Sequence, residues 1–358
     1  TKAHPGCASP AGWQLVASLR AAAPNRTAFD DAIYRSITLV PASKAPYATV
    51  DAAWVKFANL FPAVYGLLNY LPVYRRYVDA VLDAFMVDNV QRLELRAGLG
   101  ANITYSLDGS TQSAKATARL WLQAAAARNV SVSFIYSALR SQPADAIAVE
   151  LDRAYALAAV LPRGGLVGFD LVGQEDPGRP LLDFAPLLTS RRASAALPYV
   201  LHAGETKYYD AKADLNLYDA LLLNSSRIGH GFGLRNHPQL RQAVKARGVA
   251  IEICPLSNQV LGLIDDLRNH PLAGFIAEAL PLVISPDDPG FWGAQGVNYD
   301  WLAAFLVAGD ACAGLGLLKT LALNSLQYSL TDAPHRAALL EEWGRRWEVY
   351  VDWLLLAA

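Results

Sequence analysis

Charge of either sign is scarce in this sequence. Only 18% of its 358 residues are Asp, Glu, Lys or Arg, and the net charge is -1 with no long basic or acidic run. The counterion-release term that drives nucleic-acid binding therefore has no visible source, and a nucleic-acid partner is not expected. Long apolar runs are also missing. None reaches the roughly 18 residues of a membrane span, because charges such as Asp310 interrupt the greasiest stretches, so no membrane insertion is expected. Cysteine is rare: Cys7, Cys254 and Cys312 show no CxxC spacing, and an odd number leaves at least one unpaired within the chain. No HExxH, no PCxxC, no G-x-S-x-G and no phosphate-cradling loop is present, which sets aside several metal and nucleophile chemistries.

What the sequence does have is apolar material, 53% of the residues, enough for a large core. Four of its thirteen asparagines, Asn25, Asn102, Asn129 and Asn224, stand in N-x-S/T sequons, where chance gives roughly one or two. That excess favours a secreted, extracellular chain.

Between residues 47 and 90, Trp54, Phe57, Leu60, Val78, Val81, Leu82 and Phe85 recur at spacings of three and four, which predicts helices. After Asn89 the rhythm changes to short apolar runs that end in polar residues and lead into helical stretches. The runs are 90–96, 130–136, 165–172, 197–202, 227–230, 249–254 and 280–285, with helices expected at 144–160, 238–246 and 271–280. Strand, helix, strand in this order implies a parallel α/β sheet of the (β/α)8 TIM-barrel kind. Seven strands is one short of closure. Residues 301–358 read as two or three closing helices, and a single domain is expected across residues 1–358.

Barrel enzymes gather their chemistry at the carboxyl ends of the strands. Here those ends carry Glu94, Arg96, Arg140, Asp170, His202, Glu205, His230, Ser257, Asn258, Asp287 and Asp288. LHAGET puts His202 at a strand end with Glu205 three residues on. RIGHG flanks His230 with glycines, which permit close backbone approach. SPDDP sets Asp287 beside Asp288, a costly pair unless a cation or a hydrogen-bond donor shares it. His202 and Asp287 are suitable zinc ligands, while Glu205 and His230 are candidates for proton transfer and charge stabilisation.

HAGET, RIGHG, ICPLSN and SPDDP, in this order at the ends of the last four strands, resemble the adenosine deaminases of the metal-dependent amidohydrolase superfamily. The stretches FDDAIYRSITLV, FDLVGQED and SNQVLGLIDDLRNHP resemble the extracellular, growth-factor-type branch. The resemblance implies a zinc-dependent hydrolase that converts adenosine and 2'-deoxyadenosine to the inosine product and ammonia. Under it, one zinc per chain would be held in part by His202 and Asp287, and Glu205 would deliver a proton to purine nitrogen 1. His230 would orient and stabilise the attacking hydroxide. Asp288 would hold the imidazole side of the base, Gly173 would contact its other edge through the backbone, and Trp54 would line the nucleoside pocket.

The family's first strand carries a His-x-His pair, and no two of the six histidines here, His4, His202, His230, His237, His270 and His335, stand one residue apart. The expectation is a barrel lacking strand 1: residues 1–46 as the remnant of an inserted subdomain and lead-in, and residues 47–358 as strands 2 to 8 with closing helices. Cys7 resembles one half of that subdomain's disulfide, and the segment implied to form a homodimer would lie upstream of Thr1. Leu139 and Gln174 stand near positions where secreted relatives have histidines. Two alternatives stay open: a catalytically inactive binding or signalling protein, or a fragment lacking two zinc ligands, and poor zinc retention is expected for this chain.

Overall fold

A computed structural model describes residues 14–40, 47–100, 102–192, 197–309 and 314–357. His4, Cys7, Asp310 and Cys312, and with Cys7 the disulfide expectation, lie outside the described residues.

Four helices come first, α1 (Val16–Ala22), α2 (Arg26–Ser36), α3 (Val50–Leu68) and α4 (Leu71–Val87). Side-chain caps set two of their starts: Asn25 accepts from the Ala28 backbone N–H and Thr49 accepts from that of Ala52. The periodic residues Trp54, Phe57 and Leu60 of α3 and Val78, Leu82 and Phe85 of α4 are buried, as their spacing predicts.

A strand overlaps each of the seven apolar runs: β1 (Arg92–Ala97), β2 (Ser131–Leu139), β3 (Leu166–Val172), β4 (Val200–Ala203), β5 (Arg227–His230), β6 (Ala250–Ile253) and β7 (Leu282–Ile284). Helices α5 (Ala114–Ala126), α6 (Ala144–Val160), α7 (Leu181–Arg192), α8 (Lys212–Leu222) and α9 (Pro238–Arg247) follow β1 to β5 in turn. Two short helices, α10 (Pro255–Val260) and α11 (Leu272–Ala277), follow β6, and α12 (Asn298–Ala308), α13 (Leu315–Gln327) and α14 (Ala333–Ala357) close the chain.

The strands form two parallel ladders in sequence order, β1-β2-β3 and β4-β5-β6-β7. A parallel bridge between Phe169 and Tyr199, with Phe169 N–H donating to Pro198 O at 3.0 Å, joins them into one arc. Tyr136, Phe169 and Tyr199 form a fully buried aromatic column across that junction, with ring centroids 6.2 and 6.4 Å apart. Among the described residues no ladder joins β7 to β1, so the barrel is unclosed as the strand count predicts. The Asn324 side chain of α13 donates to Leu282 O at 3.0 Å and satisfies one carbonyl at the β7 edge.

The lumen of the arc is charged. Arg92, Glu94 and Arg96 alternate along β1 and so share one face. They link to the other strands as Arg92–Glu94 (3.1 Å), Glu94–Arg227 (2.7 Å), Arg227–Glu252 (2.7 Å), Glu252–Arg96 (2.7 Å) and Arg96–Asp170 (2.6 Å). This chain of alternating sign ends at the His202 imidazole, 2.6 Å from Asp170. Glu94 and Arg96 therefore lie beneath the rim where their run was expected to end, as strand interior. Below them the connector between α13 and α14 plugs the amino end of the arc. Leu330 N–H donates to Glu94, Arg92 donates to Leu330 O and Arg227 donates to Tyr328 O. Cys254, just past β6, is buried and unpaired.

Candidate active site

His202 enters the site near the carboxyl end of β4, and its backbone and ring are both held by Asp170. The His202 N–H donates to Asp170 Oδ1 at 2.9 Å, and ring Nδ1 lies 2.6 Å from Oδ2. Burial opposes ionisation of Asp170, but His202 and Arg96 override it and hold the carboxyl well below the usual range. The carboxylate there accepts from Nδ1–H, which turns Nε2 of His202 toward the site.

Glycines shape the approach. Gly204 turns the chain at φ +73°, and a Cβ there would meet Leu217 at 2.8 Å. A Cβ on Gly229 would meet the His202 ring at 3.0 Å, so the glycine before His230 clears space for the neighbouring imidazole. Both ring-bearing ends are compact: His202 and His230 have ring centroids 4.9 Å apart.

Glu205, one residue past that turn, is buried, and its Oε1 has no hydrogen-bond partner. Burial, then the charges of Asp287 and Glu175, push its carboxyl well above the ordinary value. His230 Nε2 stands 3.6 Å from Glu205 Oε1 and 3.8 Å from Asp287 Oδ2. Burial lowers the His230 pKa to about 4, with Asp287 opposing and His202 and Arg96 assisting, so its ring is neutral. Asp287 follows β7 and accepts from Ser257 Oγ at 2.7 Å. Burial and Asp287 beside it push the Asp288 carboxyl well up.

One atom from each of His202, His230 and Asp287 falls within 4.8 Å of the others. Imidazole nitrogen and carboxylate oxygen are zinc-type donors, and a ring fixed from behind by a carboxylate is the support such ligands need. His202 and Asp287 thus fit two positions of a zinc shell, with His230 beside them.

The turn carrying Glu205 is clamped by residues that sequence reading gave no role. Glu175 accepts from Glu205 N–H (2.8 Å), Gly204 N–H (3.1 Å) and Asn216 Nδ2 (2.6 Å). The buried Arg140 lies 3.4 Å from Glu175 and donates to the carbonyl of His202 at 2.7 Å. The acidic pair in GQED was the only hint of Glu175. His237 and His270 bind Asp214 and Asn258.

The structure thus brings His202, Glu205, His230 and Asp287 together, with Asp288 beside them. Gly173, at φ +99°, sits on the same rim at the end of β3. Trp54 is buried in a cluster with Phe57, Leu261 and Trp292, against the loops after β6 and β7. Helix α3 is tied to the Gly173 loop by Gln174 Nε2 donating to Asp51 at 2.7 Å. A separate groove of about 600 Å³ lies at the amino ends of β1 and β2, lined by residues including Gln91 and Ser131, away from these groups.

A parallel arc with helical crossovers and a His, Glu, His, Asp rim defines an amidohydrolase-type α/β protein. The sequence profile of the adenosine deaminase family matches residues 39–344. The chain belongs to the adenosine deaminase family, a family of hydrolytic deaminases. Adenosine deaminase 2 of Sus scrofa is 40% identical over 347 residues, covering 95% of this chain and 68% of that protein. Adenosine deaminase 2 of Homo sapiens is 38% identical over 347 residues, covering 95% and 67%. Among solved structures, an amidohydrolase from Burkholderia ambifaria crystallised with bound zinc superposes with TM-score 0.71 at 19% identity, covering 94% of this chain and 86% of that one. The adenine deaminase of Arthrobacter aurescens gives 0.66 at 23%, covering 87% and 96%. These two likenesses show the shared fold.

Proposed function

We propose that this chain deaminates adenosine and 2'-deoxyadenosine hydrolytically, with zinc as its cofactor. The observation that carries the reading is Glu205: a buried carboxyl pushed well above its ordinary pKa, with one oxygen unpartnered, 3.6 Å from His230 in the group formed by His202, His230 and Asp287. Zinc held by His202 Nε2 and Asp287 would supply Lewis-acid activation of water at neutral pH. Glu205 gives its proton to purine nitrogen 1, which makes carbon 6 electrophilic, and His230 hydrogen-bonds the incoming oxygen. Water adds at carbon 6, one of its protons restores Glu205 and the other passes to the exocyclic nitrogen, which leaves as ammonia as the carbon 6 carbonyl forms, and inosine or 2'-deoxyinosine remains. Asp288 holds the imidazole side of the base, Gly173 contacts the opposite edge through its backbone, and Trp54 lines the nucleoside pocket. All of this falls in one barrel domain, residues 47–358, with 1–46 as its lead-in.

Secretion and glycosylation belong to the same proposal. All four sequon asparagines are exposed, as a glycan acceptor must be. No helix among the described residues is long and apolar enough to cross a membrane. The second reading is a binding or signalling protein on the same scaffold without catalysis. It is favoured by the histidines, since none of the six is paired as His-x-His. Incubation with adenosine and zinc separates the two. Inosine formation that Glu205→Gln abolishes supports the deaminase, whereas no turnover with nucleoside still binding supports the second reading.

A further inference from the structure

We infer that a hydrogen-bond relay starting at the Leu272 backbone fixes His230 as the tautomer protonated on Nε2, so that His230 faces the pocket as a hydrogen-bond donor and not as a metal ligand. The Leu272 N–H can only donate, and it lies 3.0 Å from His270 Nδ1. His270 Nδ1 is therefore an acceptor, and a neutral imidazole accepting at Nδ1 carries its proton on Nε2. His270 is neutral because burial lowers its pKa to about 4. Its Nε2–H then needs an acceptor, and Asn258 Oδ1 stands 3.0 Å away.

That contact decides the orientation of the Asn258 amide. With Oδ1 on His270, the amide nitrogen faces His230 Nδ1 at 3.2 Å. Both hydrogens of an amide nitrogen are donors, so His230 Nδ1 accepts and its single proton lies on Nε2. Flipping the amide would set its NH2 against the His270 N–H, two donors face to face in a buried site, which is costly. Asn258 and His270 are both buried, so water does not compete for these positions.

His230 Nε2–H is thereby aimed between Glu205 Oε1 at 3.6 Å and Asp287 Oδ2 at 3.8 Å, both beyond a direct hydrogen bond. The three convergent groups divide in role. His202 gives its Nδ1–H to Asp170 and turns Nε2 toward the pocket, and His230 presents a proton there. Two imidazoles on adjacent strands are thus oriented by what stands behind them, a carboxylate for one and an amide for the other. Asn258 and His270 are positioning residues that act through His230. The inference rests on the deaminase reading for the use of that proton, and not for its location.

The test is long-range proton–nitrogen correlation NMR of the full chain labelled with 15N-histidine, with His230 assigned from its loss in His230→Gln. The expected spectrum shows His230 Nδ1 as an unprotonated and Nε2 as a protonated nitrogen, both before and after zinc is added. A proton on Nδ1, or loss of the Nε2 proton on adding zinc, overturns the inference. Asn258→Asp puts a carboxylate oxygen where the amide NH2 stood and should move the His230 proton onto Nδ1; an unchanged His230 pattern overturns it as well. If Asn258→Asp does not fold, the wild-type spectra decide alone. Absence of inosine production together with the expected spectrum would sink the deaminase reading and leave the relay standing.

Discussion

Replacing Glu175 with glutamine exchanges one buried oxygen for an NH2 group and changes almost nothing in shape. The wild-type carboxylate accepts at Oε1 from Glu205 N–H and at Oε2 from Gly204 N–H and Asn216 Nδ2, with Arg140 3.4 Å away. If the new NH2 takes the Oε1 position, the Glu205 N–H faces a donor and is left unpaired. If it takes the Oε2 position, two donors and the Arg140 guanidinium meet it instead. The first arrangement is better, and it still costs about 1–3 kcal/mol for one buried unsatisfied group. Arg140, itself buried, also loses its counter-charge, and breaking a buried pair typically costs about 3–5 kcal/mol. The two overlap, so we expect Glu175→Gln to lose about 3–5 kcal/mol and Glu175→Ala at least as much. Urea denaturation followed by tryptophan fluorescence, with an unchanged slope, measures the loss. Hydrogen exchange should also show the amides of Gly204 and Glu205 opening well below the global transition. Glu175→Gln within about 0.5 kcal/mol of wild type would refute the clamp.

Glu205→Gln should abolish inosine formation without changing the zinc affinity of the chain, since Glu205 is proposed as a proton donor and not as a ligand; residual turnover near wild type would remove it from the mechanism. Asp300 is buried, with one oxygen bonded to Leu256 N–H, the other unpartnered, and a pKa raised to about 7. A raised acid holds its proton in the folded state after the unfolded state has lost its own, so its share of stability is full below about pH 4 and falls as pH rises to about 7. The slope is roughly 1 kcal/mol per pH unit at its steepest. Asp300→Asn should flatten that profile and stabilise the chain at pH 8, and a parallel profile in urea titrations would count against it. Gly204→Ala must adopt φ +73° and push a methyl group into Leu217, so a loss of about 2–4 kcal/mol is expected; a neutral effect would show that the turn is not rigid.

The strands and the rim were legible because they are local patterns. Apolar runs with reactive ends named all seven strands, and the helix expected at 144–160 has those bounds. Edges were less legible. The run at 197–202 yields a strand only from Val200, since Pro198 has no N–H to give a ladder, while the run at 130–136 extends to Leu139. Within the site, His202, Glu205, His230 and Asp287 came from motifs and do meet in space. Glu175 and His270 went unread, and Arg140 was placed at a strand end without a role, because their work is done with partners distant in sequence: Arg140 reaches His202 across 62 positions. Alternation tells which face of a strand a residue occupies, but neither its height nor the side chain opposite. Glu94 was misplaced at the rim for that reason.

The charged lumen has a consequence for how this protein can change. Arg92, Arg96 and Arg227 face Glu94, Asp170 and Glu252, three cations against three anions, and every inner member is shared between two neighbours. Removing an inner member takes one partner from each of two neighbours of the opposite sign, and swapping one pair still leaves a mismatch where it meets the rest of the string. The unit of tolerated substitution is therefore the whole string and not the residue. Libraries that vary these six positions singly should return almost nothing but wild type, and viable departures should be joint replacements that keep the sum at zero.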